Sequence, residues 1–177
     1  MSTPYLRQLS APRAEPVTLQ EALVQCHADS GIEDDWFTAR IRSGRIKVED
    51  YIKRSLITQT WVFGHDYDAP AFVDLPRSPV QEILEVKIDG EDIDLDTVTK
   101  NIEVIPARLI LPSGGGRLRI EYKAGYGDAG ESVPEPLRDA ILLYVSYSYE
   151  NRAGEAEIPS AFENLIRPYR LHTWEAM

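Results

Sequence analysis

Two stretches of this chain carry residue types at spacings that do chemistry in other proteins. Gly125-Tyr126-Gly127-Asp128-Ala129-Gly130 spells G-x-G-x-x-G after a strand-like run and before a helix-like one. In that context glycines let the backbone approach a dinucleotide pyrophosphate. Asp92, Asp94, Asp96 and Glu103 fall at the first, third, fifth and twelfth positions of a calcium-binding loop. The elements around both stretches argue against the chemistry. Pro134 and Pro136 separate the last glycine from the helix, so no helix N-terminus would sit against a phosphate. Asp128, Glu131 and Glu135 bring negative charge to that place, and the preceding strand alternates polar with apolar, unlike a buried parallel strand. The plainer reading is a glycine loop that carries the chain from a sheet back to helices. In the acidic stretch the glycine required at the sixth position is Thr97, Lys100 stands at the ninth, and the flanks read as strands, so a solvated acidic turn is expected.

No other constellation stands out. His27, His65 and His172 are isolated from one another and from the single cysteine, Cys26, so no zinc spacing arises. There is no G-x-S-x-G and no P-loop, and no carboxylate pair rises above the acidic background. The sequence nominates no catalytic, cofactor-binding or metal-ligating residue, and no cofactor is expected.

The 177 residues suffice for one ordinary domain or two small ones, and 43% hydrophobic with 27% charged residues describe a foldable chain. No apolar run approaches the roughly 20 residues that cross a bilayer, and the N-terminus lacks the apolar core of a signal peptide. A lone cysteine cannot form an internal disulfide, and synthesis in the cytosol is expected. Nineteen basic residues against 29 acidic ones give a net charge of −10, with the basic residues scattered. That footprint argues against a specific nucleic-acid binder, because affinity for phosphates needs a basic patch. An acidic surface repels DNA at short range.

Val133–Arg152 is the most telling segment. It reads as a proline-started helix with Leu137, Ala140, Ile141, Tyr144 and Ser148 on one stripe. Leu142, Val145 and Tyr149 form a second stripe, with Leu143 and Tyr147 between. A surface helix normally keeps a polar face. This one has almost none between Asp139 and Glu150, so it must be covered on several sides, by its own chain or by other subunits. Leu142, Tyr144, Tyr147 and Tyr149 are the candidates for a subunit interface.

Around that helix the organisation runs helices, strands, helices. Thr18 and Glu21 form a capping box for a first helix, and a second is expected from about Asp34 to Ser55, weakened or bent at Ser43-Gly44. Residues 58 to about 125 change to strand periodicity, with Asp89-Gly90 a turn signal and the 112–116 segment a hairpin connection. A short last helix, about 160 to 167, is started by Pro159-Ser160 and stopped by Pro168. The expected fold class is α+β, a helical bundle with a small antiparallel β-domain inserted between the second and third main helices. The expected divisions are 1–16 as an N-terminal extension, 17–57 with 130–168 as the bundle, 58–129 as the β-insertion and 169–177 as a C-terminal tail.

An ordered set of segments resembles the head–tail connector (adaptor) proteins of long-tailed bacteriophages and gene transfer agents. They are Arg54-Ser55-Leu56-Ile57-Thr58-Gln59-Thr60-Trp61, Leu75-Pro76-Arg77-Ser78-Pro79-Val80 and Ala124-Gly125-Tyr126-Gly127. Val133-Pro134 through Tyr149-Glu150-Asn151-Arg152, and Leu165-Ile166-Arg167-Pro168-Tyr169-Arg170, complete the set. The matches run from about residue 17 to 170; the Ser43-Gly44 interruption and the N-terminal extension depart from the pattern. The resemblance implies a ring of subunits, a dodecamer, docked on the portal protein beneath a DNA-filled head and joined to the tail or to a stopper protein. It implies a place in the virion neck after assembly in a bacterial cytoplasm. Double-stranded DNA would pass through without specific binding. It implies no catalysis and no membrane. The tail is then expected to dock on the portal or an adjoining ring through Arg167, Tyr169, Arg170, Leu171 and Trp174, residue types common among interface anchors. The rival functions are a nucleotide- or metal-dependent enzyme using the Gly125–Gly130 loop, and a small assembly chaperone.

Overall fold

The computed structural model describes residues 4–67, 72–112, 115–152 and 159–171. The chain divides into two compact units. One takes the N-terminal segment to Pro12, Lys53–Tyr126 and Leu171; the other takes Arg13–Ile52 and Gly127–Arg170. Among the described residues the fold is mixed α+β, with four α-helices and two antiparallel sheets.

The first unit is built on nine-residue strands whose side chains alternate. Strand β8 (Gly116–Ala124) turns Leu118, Ile120, Tyr122 and Ala124 inward and leaves the charged residues between them on the other face. It lies at the centre of a five-stranded sheet. On one side stands β2 (Gln59–Tyr67), then β1 (Tyr5–Ser10); on the other stands β4 (Val80–Ile88), then β5 (Glu91–Asp92). The turn from β4 to β5 is the expected Asp89-Gly90, both residues at positive φ (53° and 93°), as a two-residue hairpin requires. A second sheet orders β3 (Phe72–Leu75), β7 (Ala107–Ile110) and β6 (Thr99–Asn101). The inner faces of both sheets share one core of Trp61, Val73, Leu75, Ile83, Val86, Leu109, Leu118, Ile120 and Tyr122 among others. Its polar atoms are matched: Tyr122 Oη donates to the Pro76 carbonyl at 2.7 Å and Trp61 Nε1 donates to Ser55 Oγ at 2.9 Å. Burial pushes the Tyr122 phenol far above its ordinary range, so it stays a neutral donor.

Strands β2–β8 lie between the second and third helices, as expected for an insertion. Strand β1 does not. The N-terminal segment, expected to precede a helical region, instead pairs antiparallel with β2, Tyr5 opposite Gly64 and Arg7 opposite Val62. Gly64 has no side chain and the Tyr5 ring fills that space, within 2.1 Å of where a Cβ would stand. An aromatic ring laid over a strand glycine recovers packing the glycine lacks.

The second unit holds α1 (Leu19–Cys26), α2 (Asp34–Ile52), α3 (Glu135–Glu150) and α4 (Ser160–Ile166), with α3 packed against the other three. The capping box starts α1. The Glu21 backbone N–H donates to Thr18 Oγ1 at 3.2 Å, and the Thr18 N–H donates to the Glu21 carboxylate at 2.8 Å. Arg138 of α3 fixes this end through the Pro16 carbonyl (2.9 Å) and the Glu21 carboxylate. Partial burial opposes the Glu21 charge, but bonds from Thr18 and the Arg138 guanidinium outweigh it and lower its pKa. Helix α2 ends at Ile52 rather than Ser55, where Lys53 takes a positive φ of 59°.

Helix α2 runs unbroken through Ser43-Gly44, against the expected weakening. A Cβ on Gly44 would stand 3.0 Å from Tyr144 Cδ1 and 3.1 Å from Ile141 Cγ2. The glycine lets α3 side chains pack tightly against α2 there, and that packing offsets its cost of about 1 kcal/mol in helix propensity. Gly44→Leu is expected to force the helices apart and destabilise by about 1–3 kcal/mol, the usual range for overpacking. Urea unfolding of the variant beside wild type measures it; an unchanged midpoint would contradict the close approach.

Candidate interaction surfaces

Each glycine of the G-x-G-x-x-G stretch is used by the protein itself. A Cβ on Gly125 would stand 2.6 Å from the Ile57 carbonyl carbon and the Thr58 nitrogen, and its φ is +147°. The Gly125 N–H donates to the Pro79 carbonyl and the Tyr126 N–H to the Leu56 carbonyl, both at 2.9 Å. Gln81 Nε2 donates to the Gly125 carbonyl at 2.8 Å. A Cβ on Gly127 would meet the Ser132 side chain at 2.5 Å, and one on Gly130 the Pro16 carbonyl oxygen at 2.7 Å. The close approaches that a pyrophosphate would need are made to this chain's own atoms.

The acidic stretch folds as a turn. Asp94 Oδ1 accepts from the Asp96 N–H at 3.0 Å, its carbonyl accepts from the Thr97 hydroxyl at 2.7 Å, and Asp92 pairs with Lys87 at 3.1 Å. Among the described residues no three of His, Cys, Asp and Glu gather as a metal-holding group. His27 closes α1 in a left-handed conformation and His65 lies in β2, while His172 lies outside the described residues.

The over-apolar helix becomes α3, started by Pro134 and Pro136 as expected. Leu137, Ala140, Ile141, Tyr144 and Val145 are buried within the chain. Glu135, Asp139 and Glu150 are exposed, and Leu142, Leu143 and Tyr147 remain half-buried. The four interface candidates therefore separate. Tyr144 is 8% exposed, 6.5 Å from the Phe162 ring and beneath the Lys47 ammonium. Tyr149 packs on Phe37 (5.2 Å) and edge-on to Trp36 (5.8 Å). Both are committed inside their own unit. Leu142 and Tyr147 keep part of their surface open, though Ser146 and Ser148 beside them bond back to the helix backbone.

The C-terminal candidates separate likewise. Arg167 is exposed, Tyr169 half-buried, and both sit in a 3-10 turn, Arg167–Tyr169, that continues α4 through Pro168. Arg170 is exposed with its guanidinium 5.4 Å from the Tyr51 ring centre. Leu171 is buried at 5%, a core position rather than an open tail. Trp174 lies outside the described residues.

Sequence reasoning missed a cluster joining the start of α2 to the end of α3. Arg152 sits 4.8 Å from the Trp36 ring centre and 4.3 Å from that of Tyr149, while its guanidinium also grips Glu33. Arg40 stacks on Trp36 at 5.7 Å. The signal was the aromatic pair Trp36-Phe37 at a helix start, legible only once Tyr149 is known to face it. Val24 in α1 and Ile32 before α2 are exposed at 63% and 80%.

No family model and no curated protein matches the chain. Solved structures do. A chain from the neck of an empty gene transfer agent particle, determined with C6 symmetry, aligns at TM-score 0.81 and 19% identity over 98% of each chain. A chain from the virion of a native gene transfer agent particle aligns at TM-score 0.76 and 20% identity, over 97% of this chain and 98% of that one. A chain from the neck of a native particle determined with C12 symmetry aligns at TM-score 0.72 and 21% identity over 98% of each. At these identities the likeness is one of fold.

Proposed function

We propose that this protein is a structural head–tail connector, or adaptor, in the neck of a gene transfer agent or phage-like particle. Copies would form a ring between the portal and the tail or stopper proteins, around the passage for DNA. The observation that carries the reading is the end-to-end correspondence of both compact units with a gene transfer agent neck chain. Three features support it. The glycine loop is filled by the protein's own atoms, which leaves it a structural role. The net charge of −10 suits a wall along which DNA slides without adhering. Helix α3 keeps Leu142, Leu143 and Tyr147 partly open, apolar surface suited to a neighbouring subunit. On this reading the chain is no enzyme and needs no cofactor.

Particles produced without this chain test the proposal. DNA-filled heads that fail to acquire tails are expected; tailed, transfer-competent particles in its absence would refute the reading.

The segment beginning at Arg167 is proposed to seat on the portal or an adjoining ring, through Arg167, Tyr169, Arg170 and the residues around Trp174. Leu171 serves instead as the buried anchor from which that segment departs. Truncation after Leu171 is accordingly expected to leave thermal stability within about 0.5 kcal/mol of wild type while abolishing portal co-sedimentation. Retained co-sedimentation would rule out residues 172–177 as the docking element; Arg167→Glu with Arg170→Glu, folded but still co-sedimenting, would rule out the rest of the segment.

A further inference from the structure

Strand β1 and the strand beneath it are held very differently. All six residues of β1 are exposed, the large apolar side chains of Tyr5, Leu6 and Leu9 among them. Its neighbour β2 is fixed from the other edge, each of its nine residues paired with β8 and with Trp61 and Val62 buried. Strand β2 therefore keeps its place whether or not β1 lies beside it. Strand β1 sinks no side chain into the core, and among the described residues it ends the sheet. A sheet-edge strand exposed in this way opens well below the free energy of global unfolding.

What ties β1 down is short and specific. Five of its residues pair with β2, and the register slips between Gln8 and Ser10. At the slip Ser10 Oγ accepts from the Thr60 N–H at 3.0 Å, and Gln8 Nε2 donates to Gln59 Oε1 at 2.6 Å. At the other end the Tyr5 ring fills the space over Gly64. The chain is gripped again at Glu15 by Arg45 and at the Pro16 carbonyl by Arg138, with Ala11, Arg13 and Ala14 exposed on the way. Among the described residues the ladder with β1 spans Thr60 to Gly64, whereas β2 runs on to Tyr67. A longer strand on the same edge gains pairs, from His65 onward, that β1 does not make.

We propose that β1 is a releasable strap, latched by the Tyr5 ring over Gly64, and that the β2 edge beneath it accepts an extended strand from a partner protein. The seat defines that strand's chemistry. It carries an aromatic ring at the place over Gly64 and is long enough to pair beyond it. Main-chain hydrogen bonds supply its affinity and the ring fixes its register. The β1 of a second copy would bring only the contacts the strap already makes, so exchange between copies gains no pair. The tether gives the strap an effective concentration of about millimolar, which keeps the edge covered until a better strand arrives. None of this depends on a place in a particle neck.

Amide hydrogen exchange of the full chain, followed by NMR, reads the release. The β1 amides and the β2 amides bonded to them are expected to exchange together, about 100-fold faster than the β8 amides. Tyr5→Ala is expected to speed that group about tenfold further and to leave β8 unchanged. Gly64→Ala, whose methyl evicts the ring, is expected to do the same. A synthetic peptide of residues 4–12, at millimolar concentration, is expected to restore protection to the β2 edge of the Tyr5→Ala chain. The same peptide with alanine in place of the tyrosine is expected not to. Strand β1 amides that exchange no faster than those of β8 would overturn the strap, as would Tyr5→Ala speeding β8 equally. An edge left unprotected by the tyrosine peptide, or protected as well by the alanine one, would overturn the acceptor. So would wild-type dimers in sedimentation that Tyr5→Ala disperses, because the occupant would then be a second copy's strap.

Discussion

Arg45→Met is expected to destabilise the helical unit by about 3–5 kcal/mol, the cost of breaking a buried ion pair from one side. Arg45 is 6% exposed in the middle of α2. Its Nε donates to Glu15 at 2.7 Å and its Nη1 to Glu49, one helical turn on, also at 2.7 Å. Both side chains of the Arg45–Glu49 pair are 8% exposed. Burial opposes the guanidinium charge, but the bond from Glu15 and the fields of Glu49 and Glu15 outweigh it and hold its pKa above the ordinary arginine value. Methionine keeps the apolar stem and removes the buried guanidinium from between Glu15 and Glu49. Arg45→Met with Glu49→Leu is expected to recover most of the loss, because a well-packed apolar pair often equals a buried ion pair. Glu15 is a quarter exposed and keeps Arg42 within 3.9 Å. Urea unfolding of the two variants and Glu49→Leu alone completes the cycle; a double variant no more stable than Arg45→Met would show that the cost lies elsewhere.

Gly125→Ala is the second large effect. The added methyl would sit 2.6 Å from the Ile57–Thr58 backbone, and φ at +147° strains any side chain. Neither obstacle is a flexible side chain, so the segment must move, and the three hydrogen bonds that tie Gly125 and Tyr126 to Leu56, Pro79 and Gln81 move with it. Strain of roughly 1–3 kcal/mol and overpacking of roughly 1–3 kcal/mol sum to about 2–6 kcal/mol. The result also separates two readings of the loop. A structural glycine predicts a lowered melting temperature with no nucleotide present. A phosphate-binding glycine predicts unchanged stability and the loss of a nucleotide-induced shift in melting.

Much of the local structure was legible because its causes are local. The Thr18–Glu21 capping box, the Asp89-Gly90 hairpin and the proline start of α3 each rest on residues within a few positions of one another. Alternation in Leu118–Tyr122 placed the central strand. What escaped depends on partners far along the chain. Strand β1 is six exposed residues between prolines, and it is a strand only because β2 lies beside it. Gly44 carries its helix cost in its own turn and its benefit at Ile141 and Tyr144, so the sequence alone shows only the cost. Arg45 read as one of the scattered basic residues; Glu15, thirty residues away, makes it a buried ion.

The interface candidates show the same limit. The excess of apolar residues on α3 correctly required cover on several sides, and α1, α2 and α4 supply most of it. Helical periodicity could not tell which of Leu142, Tyr144, Tyr147 and Tyr149 the chain itself would cover. Tyr144 and Tyr149 went inward because Phe162, Phe37 and Trp36 meet them. Leu142 and Tyr147 found no such partner ring.

The most direct measurement of the proposed connector role is electron cryo-microscopy of this protein mixed with the portal protein that role requires. A closed collar of copies on the portal is expected, with an open channel on its axis and the half-buried Leu142, Leu143 and Tyr147 of α3 against a neighbouring copy. A bare portal beside monomeric protein, at concentrations where both fold, would contradict it.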